Sequence, residues 1–177
     1  RRCHLSRFDP DRCFSPYAEA LIGMSDQAWT WTLDTTLVSR RGAHVPCMTD
    51  ILARLSELGW PQHDLFGIEL TLEETLSNAI RHGNKFDESK QVFVLCKVSP
   101  EQFWLQIRDE GKGFIPDQVP DCTTDENLEA CGGRGLFLIR AYMNRVAYND
   151  TGNCVTLEKT RTPSQADDLN QHDTPAE

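Results

Sequence analysis

Two short segments limit the kind of sheet this chain can build. Residues 91–98, QVFVLCKV, and 102–108, QFWLQIR, read as strands, and only Ser99, Pro100 and Glu101 separate them. A parallel pair needs a crossover of roughly a dozen residues, so these two must form an antiparallel hairpin. Residues 29–39, WTWTLDTTLVS, are rich in aromatic and β-branched types and read as a strand before the hairpin, and 153–159, NCVTLEK, as one after it.

Helices fill the intervals. Met48, Ile51, Leu52, Leu55 and Leu58 recur at helical spacing, and Gly59 ends that run. Pro61 opens a second helix where its missing N–H costs little, predicted to reach about His82 with Gly83 as its cap. Leu65, Ile68, Leu72, Leu76 and Ala79 form one stripe, and Phe66, Leu70 and Ile80 broaden it, so much of this helix should be buried. Residues 136–146, LFLIRAYMNRV, have helical periodicity, and 115–131 read as a long functional loop. The plan is α+β, with helices on one face of a sheet. Residues 1–28 form an unassigned N-terminal extension, 29–160 one domain, and 161–177 a tail too polar to order.

Composition narrows the function classes. The net charge is −9, and an acidic chain is repelled by phosphate backbones, which argues against a nucleic-acid partner. No run approaches the roughly 18 apolar residues of a membrane span, and the start has no signal-peptide core. The seven cysteines include no C-x-x-C pair and cannot all pair within one chain. Reduced thiols in a cytoplasmic protein are the simplest expectation. Cys96 reads as a small buried hydrophobe, and Cys3, His4 and Cys13 lack a fourth ligand for a metal.

Three clusters carry chemistry. Glu74 and Asn78 lie four apart, hence on one helical face opposite the Leu65–Leu72–Leu76 stripe, and His82-Gly83-Asn84 follows them. A carboxylate beside an amide suits a hard cation or an activated hydroxyl, although on most helices such a pair is simply solvated. Asp109-Glu110-Gly111-Lys112-Gly113-Phe114 follows a strand. Its glycines permit close backbone approach to a ligand, and Asp109 can accept a hydrogen bond from an exocyclic amine. Gly132-Gly133-Arg134-Gly135 leads into the helix from Leu136, so free N–H groups and the positive end of the helix dipole offer an anion site. Neither a Walker P-loop nor the Rossmann fingerprint is present.

Together, E-x-x-x-N-A-x-x-H-G at 74–83, RDEGKGF at 108–114 and GGRGLFLIR at 132–140 resemble the N, G1 and G2 boxes of the GHKL ATPases. The resemblance spans 29–159 and is nearest to the bacterial anti-sigma-factor serine kinases. It implies a Bergerat fold, a two-layer α/β sandwich with helices on one face of a mixed sheet. It also implies ATP and Mg²⁺. Asn78 would hold Mg²⁺ against the phosphates, and Glu74 would be the general base, since Glu73 lacks the spacing. Asp109 would bind the adenine amino group, with Gly111 and Gly113 letting the backbone close on the base. Gly133, Arg134, Gly135 and Leu136 would meet the phosphates, and 115–131 would be the ATP lid. The segment Gly152-Asn153-Cys154 departs from the Gly-Thr that relatives often carry before the last strand.

The implied activity is phosphorylation of a serine or threonine on a small antagonist protein, with a sigma factor as the second partner. The alternative is an ATP-binding module that sequesters a partner without transfer. Relatives often dimerise, so a homodimer is expected, with Trp29 and Trp31 either at its interface or in the core. A histidine kinase would need a dimerising helix bearing a phospho-accepting His, and a gyrase or chaperone would need transducer domains. Neither expectation is met in 177 residues.

Overall fold

A computed structural model describes residues 29–115 and 134–163, without the Arg134 side chain. The elements are β1 (Trp31–Val38), α1 (Val45–Glu57), α2 (Gln62–Asn78), a π-helical turn (Ala79–Gly83), β2 (Gln91–Val98), β3 (Gln102–Arg108), α3 (Arg134–Tyr142), β4 (Arg145–Tyr148) and β5 (Cys154–Thr160). The strand order is β1-β2-β3-β5-β4. The expected hairpin is β2–β3, with Val98 opposite Phe103.

The α+β layering is as expected, but the sheet is not mixed: every described pairing is antiparallel. β3 and β4 do run parallel, joined through α3, yet β5 folds back from β4 and lies between them. The crossover therefore never produces a parallel ladder.

Alternation along the strands divides the sheet into two faces. Val92, Val94, Cys96, Val98, Phe103, Leu105, Ile107, Val155 and Leu157 are buried beneath the helices. Ile51 and Leu55 of α1, with Ile68, Leu72 and Leu76 of α2, meet them. Full burial of each such side chain is worth about 1.5–3 kcal/mol. Trp31, opposite Val98, packs half-buried against this core rather than standing free of it. On the other face Lys97 lies over Trp104 and Arg108 over Phe93, at 5.3 and 4.2 Å from the ring centres. Among the described cysteines, Cys47, Cys96 and Cys154 are all buried.

Three boundaries differ from the sequence reading. α3 ends at Tyr142, and Arg145 and Val146, expected to continue it, begin β4. There the Asn144 N–H donates to Glu158 O, which starts a ladder instead of another helical turn. α2 passes into the π turn at Ala79, and Phe66, expected to broaden its buried stripe, is 52% exposed. Finally, Arg161 and Thr162 are held in place: Arg161 N donates to Glu101 O, and Thr162 bonds to Asp64 through both its N–H and its hydroxyl.

Asp64 is fully buried at the start of α2, with Lys159 Nζ 3.0 Å from its carboxylate and exposed His63 3.3 Å away. Burial pushes its carboxyl up, but hydrogen bonds from the Thr162 N–H and from Lys159 outweigh that, and its pKa falls below the ordinary 3.8.

Candidate active site

The two ends of α2 differ in kind, and the polar clusters gather at its C-terminal end. The helix places Glu74 and Asn78 one turn apart, and Asn78 Nδ2 donates to Glu74 Oε1 at 2.8 Å. Both are half-buried, while Glu73 is exposed and bonds to His44 at 3.0 Å. That contact occupies Glu73 elsewhere and leaves Glu74 as the carboxylate facing the cluster.

Glycines bring the three clusters together. A Cβ on Gly135 would strike the Glu74 carboxylate, so the first turn of α3 lies directly against the polar pair. A Cβ on Gly83 would strike the Asp109 carboxylate, and one on Gly111 would strike Gly83 O. Gly113, at φ +73°, lies against the Thr151 carbonyl. These glycines are therefore contact points between backbone segments, more than turn formers.

Asp109 directly follows β3, with its carboxylate partly enclosed. Burial raises its pKa above the ordinary value, with the Gly111 N–H, Lys90 and Arg108 pulling the other way. The Gly111 N–H reaches Asp109 Oδ1 at 2.7 Å. Burial also pushes the Tyr148 phenol up to about 12, with Arg140 lowering it and Glu74 raising it. The Tyr148 ring stands edge-on to Phe114 at 5.3 Å.

Glu74, Asn78, Asp109, Gly111, Gly113, Gly135 and Leu136 therefore share one end of the fold. Gly133 and the Arg134 side chain lie outside the described residues, as does 116–131 of the expected lid. Two residues were given no role by sequence. Asn84 is 1% exposed and bonds to Glu110 N, Ser39 Oγ and Gln91 O. Asn153 donates to Asp109 O at 3.0 Å. The only sequence signal was their position beside the boxes.

Residues 38–159 match the histidine kinase-like ATPase domain, a span that includes all three clusters. The chain belongs to this family. Serine-protein kinase RsbW of Bacillus licheniformis is 28% identical over 122 residues, 64% of this chain and 75% of that protein. The anti-sigma F factor of the same organism is 28% identical over 123 residues, 66% and 83% of the two chains. The anti-sigma F factor of Anoxybacillus flavithermus is 30% identical over 122 residues, with the same coverage.

Membership of an ATPase family implies ATP, and the donor set fits it. Asn78 uses its N–H on Glu74, which leaves its carbonyl oxygen for a hard cation. Asp109 is an enclosed carboxylate that an N–H donor would satisfy. The backbone at Gly135 has no side chain between it and the polar pair. No described helix is long and apolar enough to cross a membrane.

Proposed function

We propose that this protein is an ATP-dependent serine/threonine kinase of the anti-sigma-factor type. It would phosphorylate a small antagonist protein and bind a sigma factor, and it would work in the cytoplasm as a homodimer. The observation that carries this reading is the contact of Glu74 with Gly135, which brings a carboxylate held by Asn78 to the N-terminal turn of α3. The resemblance of the chain to relatives named serine-protein kinase and anti-sigma F factor supports the partner class.

The roles follow from the geometry. Glu74 would accept the proton of the partner's serine hydroxyl as that oxygen attacks. The Asn78 amide holds Glu74 in one rotamer, so the base is aimed before the partner arrives. The Asn78 carbonyl would hold Mg²⁺, and the N–H groups at Gly135 and Leu136 would receive phosphate oxygens. Asp109 would accept from the adenine amino group, with Gly111 and Gly113 allowing the base to lie close. Bound ATP with Mg²⁺ supplies the transferable phosphoryl group and neutralises the charge that builds during transfer.

Calorimetric titration with ATP and Mg²⁺ tests the site. Wild type should bind, and Asn78→Ala and Asp109→Asn should each weaken binding. Glu74→Ala should keep ATP binding and lose transfer to the partner by about 10²–10⁴-fold. Equal loss of binding and transfer in that variant would remove Glu74 from the role of base.

A further inference from the structure

Asp109 presents its carboxylate from the end of a strand, where a chain ordinarily has freedom to turn. Here that freedom is removed by two asparagine side chains acting on a single peptide group. The Asp109 carbonyl accepts from Asn153 Nδ2 at 3.0 Å, and the Glu110 N–H donates to Asn84 Oδ1 at 2.8 Å. This carbonyl and this N–H are the two poles of the same peptide bond. Because the bond is planar, gripping both poles fixes ψ of Asp109 and φ of Glu110 together. The Asp109 N–H is also taken, by Asn153 O at 3.0 Å.

Each asparagine is itself anchored. Asn84 Nδ2 donates to Ser39 Oγ at 2.7 Å and to Gln91 O at 2.9 Å, which ties it to the end of β1 and the start of β2. Asn153 Oδ1 accepts from Asn149 Nδ2 at 2.9 Å and from Thr151 Oγ1 at 2.6 Å. A carboxamide carries a donor and an acceptor fixed in a single plane. Aspartate could not donate to the Asp109 carbonyl, and alanine would leave buried polar groups without partners.

We propose that Asn84 and Asn153 are positioning residues that clamp the Asp109–Glu110 peptide and thereby set the preference of the site for adenine over guanine. The proposal rests on the reading of Asp109 as the adenine-binding carboxylate. An ionised carboxylate accepts from an exocyclic amine and repels the carbonyl oxygen that guanine places at the corresponding atom. Hydrogen-bonded recognition of this kind discriminates strongly only when its geometry is held to a fraction of an ångström.

Asn153→Asp tests the effect in the otherwise unchanged chain. It keeps the acceptor used by Asn149 and Thr151 and replaces the donor to the Asp109 carbonyl with a charged acceptor. Titration with Mg²⁺-ATP and Mg²⁺-GTP should show ATP binding weakened about tenfold and GTP binding changed less than about twofold. Asn153→Ala, which adds no charge beside Asp109, should shift the ratio in the same direction. A uniform loss for both nucleotides, or an unchanged ratio, would overturn the proposal and leave the asparagines as fold residues only. Amide exchange in the nucleotide-free protein separates this from the adenine reading. The Glu110 amide should be protected in wild type and exchange at least about tenfold faster in Asn84→Ala. An unprotected Glu110 amide in wild type would overturn the clamp. Protection of that amide, together with failure of wild type to bind ATP, would leave the clamp standing and sink the adenine reading with its selectivity.

Discussion

Asp64 and Asp109 lie at opposite ends of α2 and show what each end is for. Asp64 is fully enclosed, and its carboxylate receives the Thr162 N–H, the Thr162 hydroxyl and Lys159. Its pKa falls below the ordinary value. Asp109 is only partly enclosed, one of its oxygens is engaged by Gly111, and its pKa rises. The first carboxylate is satisfied by its own chain and locks the C-terminal segment to a helix start. The second is engaged through one oxygen, which leaves the other for the adenine amine in the proposed role.

The largest expected effect tests the Asp64 end. Asp64→Ala leaves Lys159 beside a buried hole and should lower unfolding stability by about 3–5 kcal/mol. Denaturant melts would measure it, and the fraction still folded should bind ATP normally. Asp109→Asn should do the reverse, changing stability by less than about 1 kcal/mol while weakening ATP at least about tenfold. A variant pair with these effects exchanged would end the contrast.

Next in size is steric. Gly83→Ala places a methyl group into the Asp109 carboxylate. It should cost about 1–3 kcal/mol and weaken ATP binding as well, because the same atom serves packing and ligand. Melting and titration of one sample would check both.

The pH dependence should separate the two ends by sign. A lowered folded pKa means that the contribution of Asp64 is present above its unfolded value of 3.8 and lost as pH falls through the lower folded value. A raised folded pKa means that the contribution of Asp109 is full below 3.8 and lost as pH rises through the higher folded value. Subtracting the pH–stability curve of Asp109→Asn from that of wild type should therefore reveal a term that declines from about pH 4 upward.

The smallest effect concerns strain. The described non-glycine residues with positive φ are Lys85 and Phe86, at 57° and 58°, immediately after Asn84. Lys85→Gly should raise stability by up to about 1 kcal/mol. No described non-glycine residue beside Asp64 has this conformation, so among the described residues this strain lies at the end that carries the site.

Much of this was readable in the amino-acid order, for definite reasons. The β2–β3 hairpin was legible to the residue because a three-residue gap admits one topology. Glu74, Asn78 and Asp109 were legible because helical spacing and the glycine-bounded boxes limit where such groups can point. β4 was not, since Arg145 and Val146 continue the helical period of α3 by coincidence and only the partner strand β5 decides their conformation. The π turn was hidden because Ala79–Gly83 differs from a helix end only in its hydrogen-bond register. Asn84 and Asn153 were invisible as a pair: they are far apart in sequence, and each alone reads as a loop residue. Asp64 was equally silent, because its partners Lys159 and Thr162 lie at the far end of the chain.

β5 is the last of the described strands in sequence but the fourth across the sheet, between β3 and β4. A growing polypeptide that has reached Tyr148 has made four strands, yet two of them still lack the neighbour that joins them. The inward side chains of β3, Leu105 and Ile107, await Leu157 and Val155, and Asn153 is not yet there to grip the end of that strand. During synthesis, nucleotide competence should therefore arrive in a single late step with the closing of the sheet. A chain interrupted before that step would be an unfinished surface, with no partial kinase activity.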